Sequence, residues 1–416
     1  MKMKIQETIY EMRRQPVITA VSIVGTALAI FLIMIMVMME QVKIAPFSPE
    51  SNRDRWLVNR HTSIKFKDSE GSNCGPMGFN TAKEVYYRMR TPEAVTVFGT
   101  NYVSMNEAPG SIPVNLDTKG VDDRFWRVMD FTFIDGAPFD SAQFESGANL
   151  AVISESAARS IFNASKVAGR KFRNDFVEYT VCGVVEDVSP LADMAYAEIW
   201  PSLSSIQQFN TSWADGIMGL LSAIILAKDK EDFPEIRTEF VQLHKKYIDS
   251  FGGRYEYVQL DRPYDQETSA HTRWANMGPN MKQVYTQNLI IFAILLIVPA
   301  INLSSMTHSR LRRQEEIIGV KRAFGATRAN ILISLFIENF IITLLAGVLG
   351  LVLAVVFSYI SAGSLYGSSD FSVIMVMQWK TFGFAILFCF ILNIISAGLP
   401  SLLAARTNIV NALSKR

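Results

Sequence analysis

Long runs of apolar residues divide the chain into membrane-length and polar segments. Four runs are long enough to cross a bilayer, which requires about 20 apolar residues in a helix. They predict spans at 16–39, 284–307, 331–362 and 380–404. The first run is too long for the apolar core of a signal peptide, and no small-residue cleavage site follows it. Buried helices of a soluble protein rarely include four such runs, so the pattern predicts a membrane protein with four transmembrane helices.

The polar region 40–283 shows strand and helix patterns typical of a large α+β domain between helices one and two. Both of its ends read as strand, helix and strand, while its middle is richer in strand patterns. The predicted strands are 56–59, 63–66, 94–99, 149–154, 171–173, 177–187, 220–227 and 255–260, and the predicted helices are 81–90, 155–162 and 232–250. We therefore expect two subdomains, with a β-rich one at about 120–215 inserted into a discontinuous first one.

Charge is divided unevenly between these regions and predicts the orientation in the membrane. The 40–283 region carries 26 Lys/Arg against 33 Asp/Glu, although the whole chain has a net charge of +1. Basic residues flank the spans in three short segments, and such residues favour the cytosolic side. These cytosolic segments are 1–15, which patterns as an interfacial helix, the loop 308–330 and the tail 405–416. The 40–283 region and the loop 363–379, which has no Lys or Arg, are then outside.

Motifs for catalysis, cofactor binding and metal binding are missing from the sequence. There is no G-x-x-x-x-G-K-S/T nucleotide loop and no G-x-S-x-G nucleophile turn. None of the four histidines has a second ligand at metal-binding spacing. We therefore expect no enzyme activity, no cofactor bound by this chain and no nucleic-acid partner. Cys74 and Cys182 lie in the external region, where either a disulfide or two free thiols are compatible with the sequence.

The basic loop between spans two and three has the pattern of a short amphipathic helix. Ile317, Val320 and Phe324 form one apolar stripe with charged residues around it. Gly325 is suited to end this helix in a left-handed conformation, and Thr327 is placed to cap the third span. Two interpretations follow from the residues alone. The helix is held by anionic lipid, or it docks onto a cytosolic partner that supplies energy.

The segment Glu316-Ile-Ile-Gly-Val-Lys-Arg-Ala-Phe-Gly-Ala-Thr-Arg328 resembles the cytosolic coupling helix of MacB/FtsX-type ABC transporter permeases. Segments of the 40–283 region are similar to the MacB periplasmic core domain, and the glycine-rich third span and the tail also match the family. These external segments are 133–139, 151–156, 169–171 and 179–185. The chain departs from the family where Ile317 occupies the usual position of an acid, which shifts the acid to Glu316, and where Ile409 replaces a proline.

The resemblance implies an arrangement of partners. Two permease subunits, identical or paralogous, lie side by side in the lipid membrane. Separate ABC ATPase chains, which bind ATP and Mg²⁺, dock on the coupling helix. The docking residues implied are Glu315, Glu316, Gly319, Val320, Lys321, Arg322 and Gly325. For helix packing or a subunit interface we expect Glu338, Ala346, Gly347, Gly350 and Ala354, with a kink at Pro299.

By resemblance, the chain is expected in the bacterial inner membrane, transmitting ATP-driven motion to its periplasmic domain. The first hypothesis is efflux of a drug, peptide or other small toxic compound with a periplasmic adaptor and an outer-membrane channel. One alternative is lipoprotein release, which a hydrophobic cradle for acyl chains in the outer domain would favour. Another is activation of a cell-wall hydrolase, and relatives with that task usually have a smaller outer domain. A receptor without an ATPase is a third alternative, and the coupling-helix pattern argues against it.

Overall fold

The structure is a computed structural model that describes most of the chain from the first span to the end of the third. The described residues are 16–68, 70–272, 275–313, 325, 327–361, 383, 384, 387, 388, 390, 391 and 394. They form two compact units. The helical unit contains 16–42, 282–361 and 383–394 as far as they are described, and the α+β unit contains Lys43–Met281.

The two units are built from the following elements. The helices are α1 (Pro16–Ile44), α2 (Phe79–Glu84), α3 (Phe125–Val128), α4 (Ser141–Glu145), α5 (Glu155–Phe162), α6 (Phe233–Asp249), α7 (Gln266–Ala270), α8 (Met281–Arg313) and α9 (Arg328–Ile360). The strands are β1 (Trp56–Asn59), β2 (Thr62–Phe66), β3 (Ser72–Gly75), β4 (Ala94–Gly99), β5 (Tyr102–Glu107), β6 (Val114–Thr118), β7 (Phe133–Gly136), β8 (Leu150–Ser154), β9 (Lys171–Asn174), β10 (Val177–Val185), β11 (Ile199–Pro201), β12 (Leu221–Leu226), β13 (Tyr255–Tyr257) and β14 (Tyr264–Asp265).

Three long helices make up most of the described part of the helical unit. Within α1 and α9, the stretches Thr19–Ile44 and Asn339–Ile360 are long and apolar enough to cross a membrane. In α8 the apolar stretch Met281–Ile297 is shorter. The helices extend beyond the predicted spans, since α1 ends at Ile44 and α8 ends at Arg313. The predicted fourth span, 380–404, lies almost wholly outside the described residues.

A four-stranded antiparallel sheet forms the centre of the α+β unit, with strand order β14-β1-β12-β4. All six side chains of β12 are buried, because the sheet is covered on both faces. Leu221, Ala223 and Ile225 face a cluster that includes Phe240 of α6. Ile224 and Leu226 face the opposite cluster, with Trp200 and Phe125. This two-sided burial explains why β12 reads as a continuous apolar run instead of an alternating one.

The second subdomain is inserted between β4 and β12 and contains a seven-stranded sheet. Its strand order is β7-β10-β8-β11-β6-β5-β9, and β9 also pairs with β10. Because the pairing returns to β10, six of the strands form a closed ring, with β7 added beside the second half of β10. A third, small sheet has the strand order β13-β2-β3. Ile64 of β2 packs in one cluster with Ile217 and Ile248.

The inserted sheet begins earlier than the predicted limit near residue 120. Its first strand is β5, which begins at Tyr102, and β6 follows at Val114. Ser104 and Asn106 of β5 are buried, whereas Val103 and Met105 are exposed. The strand thus reverses the usual order of apolar inside and polar outside, and it lacks the signal from which strands are recognised.

Candidate functional site

The predicted coupling helix falls mainly outside the described residues. Six of its seven predicted docking residues lie there, namely Glu315, Glu316, Gly319, Val320, Lys321 and Arg322. Gly325 has a φ of +90°, a backbone conformation that favours glycine. Thr327 caps α9, because its side chain accepts a hydrogen bond from the backbone N–H of Asn330. The predicted cap and the start of the helix at Arg328 are therefore confirmed.

Helices α1 and α9 pack through a seam of small and polar side chains. A Cβ added at Gly350 would lie 2.6 Å from the carbonyl oxygen of Ala27 and 3.0 Å from the Ile30 side chain. Near the middle of α1, the rings of Phe31 and Phe357 meet edge to face at 5.3 Å. The buried residues of the two helices are Thr19, Ser22, Thr26, Ala27, Ile30, Ile33, Met34, Met38 and Val42 on α1 and Asn339, Ile342, Thr343, Ala346, Gly347, Gly350, Ala354 and Ser358 on α9. Small residues let two helix backbones approach closely in a bilayer.

The small-residue series predicted for packing lies on this buried side of α9. Ala346 and Ala354 have no more than 1% exposure, and Gly350 contacts α1 of the same chain. The sequence left two alternatives for Gly350, namely packing within the chain or a subunit interface. The contact with α1 shows that Gly350 takes part in intrachain packing. Glu338 lies within α9, and Pro299 lies within α8, which continues as a helix on both sides of it.

A buried ion pair lies where the chain leaves α1. Glu50 and Arg53 are 0% and 3% exposed, and Arg53 Nε donates to Glu50 Oε2 at 2.6 Å. The same guanidinium donates to the carbonyl oxygens of Ala45 and Leu191. The other oxygen of Glu50, Oε1, accepts the backbone N–H groups of Met194 and Ala195, both at 2.8 Å. Both charged groups therefore have hydrogen-bond partners in addition to each other, and buried charges require such partners.

Two more cations reach the loop that contains Leu191 and Ala195. Lys119 directly follows β6, and its Nζ donates to the carbonyl oxygens of Asp193 and Met194. Burial lowers the pKa of Lys119 to about 8, while Asp193 and Glu50 oppose that shift. Arg60 forms an ion pair with the carboxylate of Asp193. Charges from three separate parts of the chain therefore converge on this one loop.

A second buried arginine, Arg262, lies on the segment that leads to α8. It is 2% exposed and donates to Ser63 Oγ at 2.8 Å and to the carbonyl oxygen of Ala275. The Cys74 thiol donates to the same carbonyl oxygen. Among the described residues, Arg262 has no carboxylate partner. It fastens the return segment to the small three-stranded sheet.

His244 of α6 is buried among aromatic rings. Its ring stacks on Tyr257, with a centroid separation of 4.6 Å, and it also contacts Phe240 and Tyr86. Nδ1 lies 3.2 Å from the carbonyl oxygen of Phe240, so the proton is assigned to that nitrogen. Nε2 has no hydrogen-bond partner among the described residues. Burial lowers the pKa of His244 to about 3, so the ring is neutral at physiological pH. The neutral ring packs as a member of the aromatic core.

An apolar surface of the inserted subdomain lies at the β9–β10 turn and along the neighbouring strand β5. Phe176, in the β9–β10 turn, is 95% exposed, and Val103 on β5 is 65% exposed. Asp175 holds the turn against β5, because its backbone N–H donates to the Met105 carbonyl and its side chain accepts the Met105 N–H. We call Val103, Met105 and Phe176 the apolar tip. Exposed apolar surface of this kind is typical of protein contacts.

Metal binding and a disulfide find no support in the described part of the chain. No group of three or more His, Cys, Asp or Glu residues there could hold a metal ion. Cys74 and Cys182 are both free. Burial raises the pKa of the Cys182 thiol to about 12, so it remains protonated at neutral pH.

Comparison with known families identifies both parts of the chain. The family described as the MacB-like periplasmic core domain matches residues 18–243. The family described as the FtsX-like permease C-terminal matches residues 289–409. The chain belongs to the MacB/FtsX family of ABC transporter permeases. In this family context the α+β unit is the periplasmic domain, and the helical unit belongs to a membrane permease.

Individual MacB/FtsX relatives are distant in sequence. The macrolide export ATP-binding/permease protein MacB of Bdellovibrio bacteriovorus is 22% identical over 72% of this chain, and the match covers 44% of that relative. The uncharacterized ABC transporter permease YknZ of Bacillus subtilis is 21% identical over 71% of this chain and is covered to 68%. The periplasmic region of MacB from Actinobacillus actinomycetemcomitans is 12% identical, with a TM-score of 0.32 over 48% of this chain and 88% of that one.

Sequence reasoning missed three features of this MacB/FtsX permease. The Glu50–Arg53 pair has a local spacing of three residues, but its partners Leu191, Met194 and Ala195 are remote in sequence. The buried Arg262 likewise binds residues from other segments. For the apolar tip, a signal was available, because Phe176 follows Asn-Asp in a short turn where apolar residues are uncommon.

Proposed function

We propose that this chain is the permease subunit of an ABC transporter that carries ATP-driven motion across the bacterial inner membrane. An ATPase on a separate chain docks at the coupling helix, and both termini of the permease are cytosolic. The order of the matches carries this proposal, because a MacB-like domain is followed by an FtsX-like domain from residue 18 to residue 409. The basic segments on either side of the predicted spans support the orientation.

The task we propose is efflux of a drug, peptide or other small toxic compound. Relatives named as macrolide export proteins support this choice. We further propose that the permease acts as a dimer, together with a periplasmic adaptor and an outer-membrane channel. The apolar tip supports a protein partner for the inserted subdomain, since Phe176 is almost fully exposed at a turn that is held in place. Lipoprotein release and hydrolase activation remain outcomes of the test.

The ATPase contact is tested by co-purification of the full chain with candidate ABC ATPases. The variants Gly319→Leu and Lys321→Glu change the predicted coupling helix. The control variant Lys415→Glu changes a basic residue of the predicted cytosolic tail. Loss of the ATPase with the first two variants, and retention with the control, is the expected result. If the ATPase remains bound to both coupling-helix variants, docking at this helix is contradicted.

The transported class is tested by deleting the gene for this chain and then expressing the chain again in the same cells. Loss of resistance to macrolides or other small toxic compounds on deletion, and its return on re-expression, supports efflux. Accumulation of lipoproteins in the inner membrane without any change in resistance would replace efflux by lipoprotein release. A defect confined to cell separation would favour hydrolase activation.

A further inference from the structure

The segment that leaves α1 is attached to the inserted subdomain by two sets of contacts. In the first set, Ser48 and Ser51 donate exposed hydrogen bonds to Asp130, and Asn52 donates a half-buried one to the Val128 carbonyl oxygen. The backbone N–H of Asp130 also donates to the Pro49 carbonyl oxygen at 2.7 Å. Water competes with the two exposed bonds, which makes each of them weak. The second set is the buried pair Glu50–Arg53, whose partners lie in the loop 189–197.

The buried pair connects three parts of the chain. Arg53 donates to the Ala45 carbonyl oxygen at 3.1 Å, directly after the last residue of α1. It also donates to the Leu191 carbonyl oxygen at 2.9 Å. Glu50 completes the connection by accepting the N–H groups of Met194 and Ala195. Charge-assisted hydrogen bonds are short and directional, so this set holds the end of α1 at a fixed place on the loop.

The loop in turn belongs to the core of the inserted subdomain. Ala192, Met194, Ala195 and Ala197 are buried in the cluster that includes Trp200 of β11. The indole N–H of Trp200 donates to the Ala195 carbonyl oxygen. A displacement of the loop therefore displaces β11, which lies inside the seven-stranded sheet.

We infer that Glu50 and Arg53 are the positioning pair that makes the inserted subdomain follow the end of α1. The pair acts as a clamp between the segment that follows α1 and a subdomain that lies far along the sequence. This inference deepens the proposed function, because it names the residues by which helix motion would reach the outer domain. Its structural part, the clamp itself, is testable without an ATPase.

Two matched controls come from the same region. Lys119 binds the same loop but comes from the inserted subdomain itself, so its loss weakens the loop without detaching α1. Arg262 is as deeply buried as Arg53, but it fastens the return segment to the three-stranded sheet. The test variant is the double substitution Glu50→Leu/Arg53→Met. It removes both charges, so no unpaired charge is left in the core.

The experiment measures the distance between spin labels on the full chain in lipid nanodiscs. Labels are placed at Lys43, in the last turn of α1, and at Glu145 of α4, since both side chains are exposed. Cys74, Cys182 and Cys389 are first replaced by serine. We expect a narrow distance distribution in the parent chain and in the controls Lys119→Met and Arg262→Met. In the double variant we expect a broad one.

A narrow, unshifted distribution in the double variant would overturn the inference. Equal broadening in Lys119→Met would also overturn it, because loop stability alone would then fix the distance. With the partner ATPase present, we expect the double variant to hydrolyse ATP while transport falls at least about tenfold. If no ATPase binds the parent chain, the proposed function fails, and the spin-label result still decides the clamp.

Discussion

Gly350 of α9 lies against the backbone of Ala27 in α1, so closely that an added Cβ would be 2.6 Å from the Ala27 carbonyl oxygen. Real Cβ contacts do not occur at this distance, so the glycine is required for the present helix separation. The contact joins the first and third predicted spans within one chain.

The first prediction concerns this contact. Gly350→Leu forces α1 and α9 apart, and overpacking of this kind costs about 1–3 kcal/mol. We expect a lower thermal unfolding midpoint for the protein in nanodiscs. The control Val352→Leu changes a side chain that is 51% exposed in the helical unit and leaves the midpoint unchanged. A Gly350→Leu variant as stable as the parent chain would show that the helices do not meet at Ala27.

The second prediction concerns the energy of the Glu50–Arg53 pair. Removing one partner of a buried ion pair leaves the other charge unpaired, at a cost of about 3–5 kcal/mol. We expect Arg53→Met alone to destabilise the α+β unit more than Glu50→Leu/Arg53→Met does. Unfolding is followed by tryptophan fluorescence, since five of the six tryptophans lie in this unit. Strictly additive effects of the two substitutions would show that the residues do not interact.

The third prediction is a pH dependence that originates at His244. Its pKa falls from 6.5 to about 3 on burial. The unfolded chain therefore binds a proton below pH 6.5 that the folded chain does not bind. Stability is complete above that pH and is lost as the pH falls toward 3. Between pH 7.5 and 5.0 the loss from this group is about 2 kcal/mol.

The variant His244→Phe tests this assignment, because it keeps an aromatic ring in the cluster and cannot titrate. Its stability difference between pH 7.5 and 5.0 should be smaller than that of the parent chain by about 2 kcal/mol. The control Phe176→Ser changes an exposed side chain that lies outside the aromatic cluster and cannot titrate, so it should keep the parent difference. An unchanged pH dependence in His244→Phe would place the titrating group elsewhere.

The fourth prediction concerns the apolar tip and the proposed adaptor. Phe176→Ser removes the most exposed large apolar side chain of the tip. Loss of a central apolar contact costs more than about 1 kcal/mol, so we expect at least about fivefold weaker adaptor binding. Surface plasmon resonance with the full chain in nanodiscs measures the affinity of the adaptor. Lys171→Ala, on the same hairpin, should bind normally, and normal binding by Phe176→Ser would exclude the tip as the contact.

Strands with apolar side chains could be predicted from the sequence, but those with inward polar side chains could not. The predicted limits of β1, β4 and α5 agree with the structure, because their apolar residues mark buried positions. In β5 the inward Ser104 and Asn106 instead bond to Asn174 of β9. That polar network depends on a pairing between remote strands, so no local pattern announces it.

The candidate site was predictable to a similar degree. Local chemistry was sufficient for the Thr327 cap, since a threonine before an apolar run is a known helix start. It was insufficient for Glu50 and Arg53, which read as ordinary surface charges in a segment rich in proline and serine. Their burial depends on the loop 189–197, which is more than 130 residues away.

The proposed function requires that ATP-driven motion reaches the α+β unit. Spin labels at Met277, before α8, and at Glu145 in the inserted subdomain would report it in nanodiscs with the partner ATPase. We predict that ATP with a hydrolysis-deficient ATPase shifts the distance distribution, and that ADP with the active ATPase restores the nucleotide-free one. An ATPase that binds and hydrolyses ATP while the distribution stays the same in every nucleotide state would contradict the proposed transmission of motion.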